Sequence, residues 1–344
     1  MPRRLVGVSP SPAPDPPPLR YLSAADVAAA MPDIDDRLDL AEGTMTALVA
    51  DADLPPKISI HPKPEGSFVH AMPALLRGTD PDGASDLIGI KWVAGFATNN
   101  KRGLPAISAV IVLNDPQTGA PAAILDGGPI TAVRTAAISG VAIRRFAPIE
   151  TDRPPRVALI GAGVQGHAHL PVIGRVLPGT ALILYDRHPE RTAVLAAEAR
   201  TTDGIADVTV ALDARSAVRE ADVVVTAASF GPVRQVMTAE WLASHALVVP
   251  VDYATYLSAE VARDASLFLV DDRAQFVANR DAGLFEDYPD PDATFGEAIL
   301  AGTPRPASGR VVATHLGVGL ADVVFGDAIV RRAEERGLGT ILPR

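Results

Sequence analysis

The sequence predicts an α/β protein of two domains, one of them a doubly wound parallel sheet. Three observations carry this reading. From Val157 onward, short apolar runs alternate with helical patterns, the rhythm of a parallel sheet covered by helices on both faces. A glycine-rich turn of the form GxGxxG sits between the first such strand and helix. Before Thr151 the rhythm differs, with helices followed by β-like runs, and a chain of 344 residues suits two cores better than one.

Taken in order, Ser9 to Pro18 is dense in proline and reads as an extended tail, assigned to residues 1–20. Ser23 and Asp26 make a helix-capping pattern, and Ile34, Leu38, Ala41, Met45 and Leu48 place apolar side chains on one face of a second helix. Lys57–His61, Ser67–Pro73, Leu87–Ala94, Ala106–Asn114 and Ala122–Leu125 read as strands of an antiparallel or mixed sheet, the last two joined by the turn Asp115-Pro-Gln-Thr-Gly119. A helix is predicted from Pro129 to Phe146, and Asp152-Arg-Pro-Pro155 is a stiff linker, which puts the domain boundary near Thr151. The alternating region then gives Val157–Gly161, Val164–Val176, Ala181–Tyr185, Pro189–Arg200, Val208–Ala211, Ala214–Glu220, Val223–Ala227 and Ala246–Val251. Past Ser266 the pattern weakens to one strand-like run, Leu267–Val270, and a long helix over Gly317–Glu335.

Composition narrows the function. Forty-one acidic against 31 basic residues give a net charge of −10 with no cationic run, a surface that repels nucleic-acid backbones and anionic membranes. An anionic substrate must therefore meet a local cationic pocket. No cysteine is present, which removes thiolate chemistry and cysteine zinc sites and fits a reducing compartment, so a cytoplasmic location is expected. Neither a transmembrane span nor a signal-peptide core is found. His167 and His169 are the one close histidine pair, and their spacing turns the rings to different sides of a helix, so no metal site is expected.

The chemistry concentrates in four places. In Val157-Ala-Leu-Ile-Gly161-Ala-Gly163-Val-Gln-Gly166, Gly161 permits a tight turn, Gly163 lets backbone approach a pyrophosphate, and Gly166 allows close packing of helix on strand. Ala162, Val164 and Gln165 complete this cradle. Asp186 ends the next strand, where a carboxylate accepts ribose hydroxyls, so NAD is favoured; Arg187 beside it keeps NADP open. Thr226, at a strand's carboxyl end, and Thr135 are further cofactor candidates, with a solvated strand terminus as the alternative for Thr226.

The second place is Lys91 in Gly89-Ile-Lys91-Trp-Val, a lysine among apolar residues that needs a counter-charge, unless it snorkels to the surface. The third is Arg134, expected near a helix start, where a cation joined to free N–H groups makes an anion site; a surface ion pair is the alternative. The fourth is Asp252, at the carboxyl end of Ala246–Val251, placed to exchange a proton or to stabilise an iminium, or else serving as a cap or turn residue.

These pieces, in their order, resemble the ornithine cyclodeaminase and μ-crystallin family: Pro55-Pro-Lys57, Phe68-Val-His-Ala-Met72-Pro73, Gly89-Ile-Lys91-Trp-Val, Arg102-Gly103-Leu104-Pro105, Ile130-Thr-Ala-Val-Arg134-Thr-Ala-Ala, Gly161-Ala-Gly163-Val-Gln165 and Asp252. The resemblance runs from about Tyr21 to the last helix. It implies a Rossmann sheet (151–311) inserted into a second, α+β substrate and dimerisation domain (21–150 plus 312–344), and a homodimer. It also implies that Lys91 and Arg134 bind a substrate carboxylate, that Lys57 and His70 line the substrate site, and that Asp252 supports proton transfer. Lys57 stands where the cyclodeaminase pattern resembles arginine, and His70 where it resembles glutamate. Lysine lacks the bidentate fork and histidine is no fixed anion for a second amine, so the residues point away from ornithine.

The expected function is thus an NAD-dependent oxidoreductase moving a hydride to or from the carbon–nitrogen carbon of a small imino or amino acid. A redox-neutral ornithine cyclodeaminase-type ammonia lyase is the alternative within the same chemistry. A non-catalytic, crystallin-like NAD(P)H-binding protein is the alternative of another class.

Overall fold

The computed structural model describes residues 18–64, 66–148, 152–229 and 233–344. The first group of elements is β1 (Leu19–Leu22), α1 (Ala24–Ala29), α2 (Ile34–Ala47), β2 (Ala52–Asp53), β3 (Ile58–Ile60), β4 (Phe68–Leu76), β5 (Leu87–Gly95), β6 (Ile107–Asn114), β7 (Pro121–Asp126) and α3 (Gly127–Phe146). The second is β8 (Arg156–Ile160), α4 (Val164–Val176), β9 (Thr180–Tyr185), α5 (Pro189–Ala199), β10 (Ile205–Val210), α6 (Ala214–Val218), β11 (Val223–Thr226), β12 (Leu247–Pro250), α7 (Ala259–Arg263), β13 (Leu267–Val270), α8 (Arg273–Asp281), β14 (Ala293–Thr294), α9 (Phe295–Leu300) and β15 (Val311–Thr314). Then α10 (Gly319–Glu335) and β16 (Thr340–Leu342) close the chain.

The predicted α1 start is a capping box, with the Ser23 hydroxyl and Asp26 exchanging bonds with each other's backbone. All five expected strands of the first sheet form within one residue of their expected starts, and Ser67–Pro73 forms as β4, which runs on to Leu76. The order is β16-β1-β7-β6-β5-β4-β2, with β3 paired to β4. The sheet is mixed, because β1 runs parallel to β7 while the hairpins β4–β7 are antiparallel. Cross-strand register sorts its faces. His70–Val93–Ala109 and Met72–Lys91–Ile111 are rows on the inner face, and Ile58–Ala71–Trp92–Val110 is a row on the outer one.

The second sheet has the order β10-β9-β8-β11-β12-β15-β13-β14, every pairing parallel. Its central strands are buried on both faces, as apolar runs such as Val223–Thr226 and Leu247–Pro250 require. β8, β9, β11 and β12 lie side by side at its centre, so their carboxyl ends, with the switch of chain direction at β8, form the ligand edge of such a sheet. Two boundaries differ from the sequence reading. β15 belongs to this sheet, so its chain runs on to Thr314, past 311. β1 takes Leu19 and Arg20 from the expected tail, the rest of which, like the boundary at Thr151, lies almost wholly outside the described residues.

Helix α10 returns to the first sheet and crosses it at Gly89, where even a Cβ would lie 3.0 Å from the Val323 methyl. A closer crossing joins the two halves: a Cβ at Gly140 of α3 would come within 2.5 Å of Val172 on α4. No helix among the described residues is long and apolar enough to cross a membrane.

Candidate active site

At the carboxyl edge of the second sheet, the three motif glycines divide as their positions suggest. Gly161 has φ +113°, and a Cβ there would strike the Ala227 carbonyl at 2.4 Å. A Cβ at Gly166 would strike the Gly161 carbonyl at 2.3 Å. Gly163, the N-cap of α4 with φ −94°, has nothing within 4 Å among the described residues, so none of them requires glycine there. No side chain among the described residues caps α4, whose first-turn N–H groups stay available for a phosphate. Thr131 Oγ1 on α3 and Gln165 Oε1 in the first turn of α4 are buried without a hydrogen-bond partner among the described residues. The open cradle, the uncapped helix and the orphaned acceptors fit a dinucleotide.

Asp186 follows β9 and accepts the Ala162 N–H at 2.7 Å and the His188 N–H at 2.9 Å. It thereby braces the glycine turn, and each oxygen keeps a lone pair for further donors. Arg187 and Val164 are exposed, and Thr135 is buried on α3. Thr226 is fully buried, and its hydroxyl donates to Asp252 Oδ1 at 2.8 Å. Its direct partner is the candidate acid–base group, and it is not a solvated strand end.

Asp252 is 2% exposed just past β12, and its other oxygen accepts the Ala228 N–H at 3.2 Å. Burial pushes its carboxyl up to about 7, with those two hydrogen bonds opposing. It caps no helix, since Ser258 holds the N-cap of α7.

The cations converge on a carboxylate that the sequence reading did not single out. Asp322, fully buried in the first turn of α10, faces Lys91 Nζ at 2.6 Å and Arg134 Nε at 3.2 Å. Lys91 therefore does not snorkel. Burial lowers its ammonium's pKa, with Asp322 opposing and Arg134 adding to the fall. Arg134 is not near a helix start either. Asp126 caps α3 through the Gly128 N–H, so the helix opens at Gly127 and Arg134 stands about two turns inside, away from the free N–H groups. Its Nε is held by Asp322, while Nη1 and Nη2 lie against Gly317 and have no hydrogen-bond partner among the described residues. That free fork suits a carboxylate. The detectable signal for Asp322 was an acid inside the apolar stripe Gly319-Leu-Ala-Asp322-Val323, which needs a buried cation.

Residues 315–317 join the two halves. The Leu316 carbonyl accepts Lys57 Nζ at 2.7 Å and the Tyr253 hydroxyl at 3.3 Å, next to Asp252. The N–H groups of Leu316 and Gly317 both donate to buried Asp271 at the end of β13. His70 stands on the inner face beside Lys91, stacked on Phe68 at 4.5 Å. Burial, then Lys57, lowers its pKa to about 4, so it is a neutral ring at neutral pH. Lys57, His70, Lys91, Arg134 and Asp252 are thus gathered around one loop. Arg102–Pro105 is exposed on the turn between β5 and β6. His167 and His169 take separate partners, Glu198 and Ser139.

The fold and this site define a two-domain dinucleotide-binding protein with a cationic anion pocket and a buried titratable carboxylate. The profile of the ornithine cyclodeaminase/mu-crystallin family matches residues 23–322, and the chain belongs to that family. It is 35% identical to nodulation efficiency protein NfeD of Rhizobium meliloti, over 94% of this chain and 98% of that protein. It is 27% identical to ketimine reductase mu-crystallin of Mus musculus, over 75% and 78% of the two chains. Among solved structures, Thermococcus litoralis Δ1-pyrroline-2-carboxylate reductase in complex with NADH and L-proline superposes with a TM-score of 0.79 at 24% identity, covering 94% of this chain and all of that one. An archaeal alanine dehydrogenase dimer with bound NAD gives the same score and identity, over 95% and 99%.

Proposed function

We propose that this protein is a nicotinamide-dependent oxidoreductase acting on the carbon–nitrogen bond of a small imino or amino acid, with NAD preferred over NADP. The observation that carries the reading is the loop 315–317, which ties a buried carboxyl titrating near neutrality to a cationic pocket with one free guanidinium fork. The dinucleotide supplies or takes the hydride. Arg134 and Lys91 hold the substrate carboxylate, and Asp322 fixes both cations in place. Asp252 gives a proton to the imine nitrogen, and the resulting carboxylate then faces the iminium in a water-poor site. In the reverse direction the amine gives up its hydride first, and the ionised Asp252 takes the proton back from the iminium that results. Neutral His70 offers a second amine no anion, which favours simple imine reduction over cyclodeamination of a diamino acid.

The working unit is a cytoplasmic homodimer. The outer-face row Ile58, Trp92 and Val110, 65%, 50% and 42% exposed, is an apolar stripe suited to a second copy. Glycines 161, 163 and 166, with Ala162, Val164, Gln165, Asp186 and Arg187, hold the dinucleotide, and Thr135 lies beside it. The test is NADH oxidation with cyclic imine carboxylates, 2-keto acids and pyruvate plus amines, next to an ornithine-to-proline assay. Proline formed without net NADH consumption would replace this reading by the lyase; binding of NADH without turnover on any of these would replace it by a binding protein.

A further inference from the structure

A second polar cluster is buried between the halves of the molecule, and its side chains hold none of the roles assigned above. Ser139 on α3 is fully buried, as is His169 on α4, and His315 just after β15 is 2% exposed. The Ser139 hydroxyl lies 2.8 Å from His169 Nε2 and 2.9 Å from His315 Nε2, and His169 Nδ1 lies 2.6 Å from the Gln165 carbonyl. A hydroxyl between two imidazoles is also the arrangement of a nucleophile, but full burial denies it a substrate.

The proton positions follow from the partners. A carbonyl only accepts, so His169 Nδ1 carries the hydrogen. Burial holds both rings neutral, which leaves His169 Nε2 as an acceptor for the Ser139 O–H. The serine has one hydrogen, so His315 Nε2–H donates to it, and His315 Nδ1 remains a buried acceptor without a partner among the described residues. Every donor in the chain points the same way, from His315 through Ser139 and His169 to the Gln165 carbonyl. One end is the first turn of α4, within the phosphate cradle. The other is the residue before Leu316 and Gly317, which seat Lys57 and the Arg134 fork.

Backbone packing makes this linkage stiff. The near contact of α3 and α4 at Gly140, next to Ser139, leaves no room for the helices to slide without moving the serine. We propose that Ser139 is a positioning residue that couples the two ligand sites: its paired hydrogen bonds transmit a shift of the phosphate cradle to loop 315–317, so dinucleotide and substrate carboxylate each bind more tightly when the other is present. The inference rests on the site reading given under Proposed function.

The experiment measures NADH dissociation constants by fluorescence titration, with and without saturating pyrrole-2-carboxylate, a planar carboxylate that accepts no hydride. Wild-type protein is expected to bind NADH about fivefold or more tighter with the carboxylate present, the lower end of usual coupling. In Ser139→Ala the ratio should fall below about twofold while NADH binding alone changes little. His315→Asn cuts the same chain from the loop side and should lose the ratio equally, which covers the case where Ser139→Ala folds poorly. Full coupling in either folded variant, or none in wild type that binds both ligands, overturns the proposal and leaves the proposed function standing. Failure of wild type to bind either ligand removes the site reading and this inference together.

Discussion

Replacing Asp252 by Asn keeps shape and removes charge, and the structure allows its cost to be separated into two parts. The carboxamide oxygen can still accept the Thr226 hydroxyl, but its NH2 then faces the Ala228 N–H, so one bond of 3.2 Å is lost. That loss is worth about 1 kcal/mol. Removing a positioned acid–base group instead lowers turnover by roughly 10²-fold or more, which corresponds to about 2.7 kcal/mol or more in the barrier. The two outcomes are far enough apart to tell. Steady-state kinetics on the imine found by the screen should show kcat down by roughly 10²-fold, with NADH affinity nearly unchanged. The pH profile adds a sign. For an imine that enters uncharged, reduction needs the proton on Asp252, so kcat/KM falls as pH rises through about 7; oxidation needs the ionised form and rises through the same pH. Both limbs should vanish in the Asn variant. Turnover within a few-fold of wild type, or limbs that persist, would remove Asp252 from the mechanism.

Asp322→Asn leaves Lys91 and Arg134 buried side by side without their counter-charge, and should destabilise the protein by about 3–5 kcal/mol in urea denaturation; a loss below about 1 kcal/mol would mean that the pair is not held as described. NADH should bind more tightly than NADPH, because the Asp186 carboxylate repels a 2′-phosphate, and equal fluorescence titrations would show that exposed Arg187 dominates. Trp92→Glu puts a charge in the outer-face stripe and should convert a dimer to a monomer in light scattering; a wild-type mass already at the monomer value across concentrations would refute the dimer.

What the sequence disclosed follows from how local each signal is. The strand–glycine–helix unit at Val157–Gly166 and the strands β4 to β7 are written in contiguous patterns, and they form close to their expected places. Arg134 was misplaced along its helix because Asp126, the true N-cap, also ends β7, so the helix starts without an intervening turn. β15 went unseen because it is only four residues long, Val311-Val-Ala-Thr314, and leads straight into His315 and Leu316, too short a run to show a period of its own. Lys91 and Arg134 were legible as cations in need of partners. Asp322 was not legible as that partner, because nothing short-range links residues so far apart in the chain. Asp271 and the Ser139 chain were hidden for the same reason.

The three glycines of the nucleotide turn answer to different pressures. A side chain at 161 or 166 collides with the protein's own backbone, so any descendant that still folds must keep those two, whatever it binds. A methyl at 163 meets none of the described residues and an ordinary φ, so their packing would accept it. Position 163 is therefore free to drift in a lineage that has stopped holding a ligand there. Its glycine is a record of use rather than of folding, and an alanine at 163 should leave the melting temperature alone while abolishing dinucleotide binding.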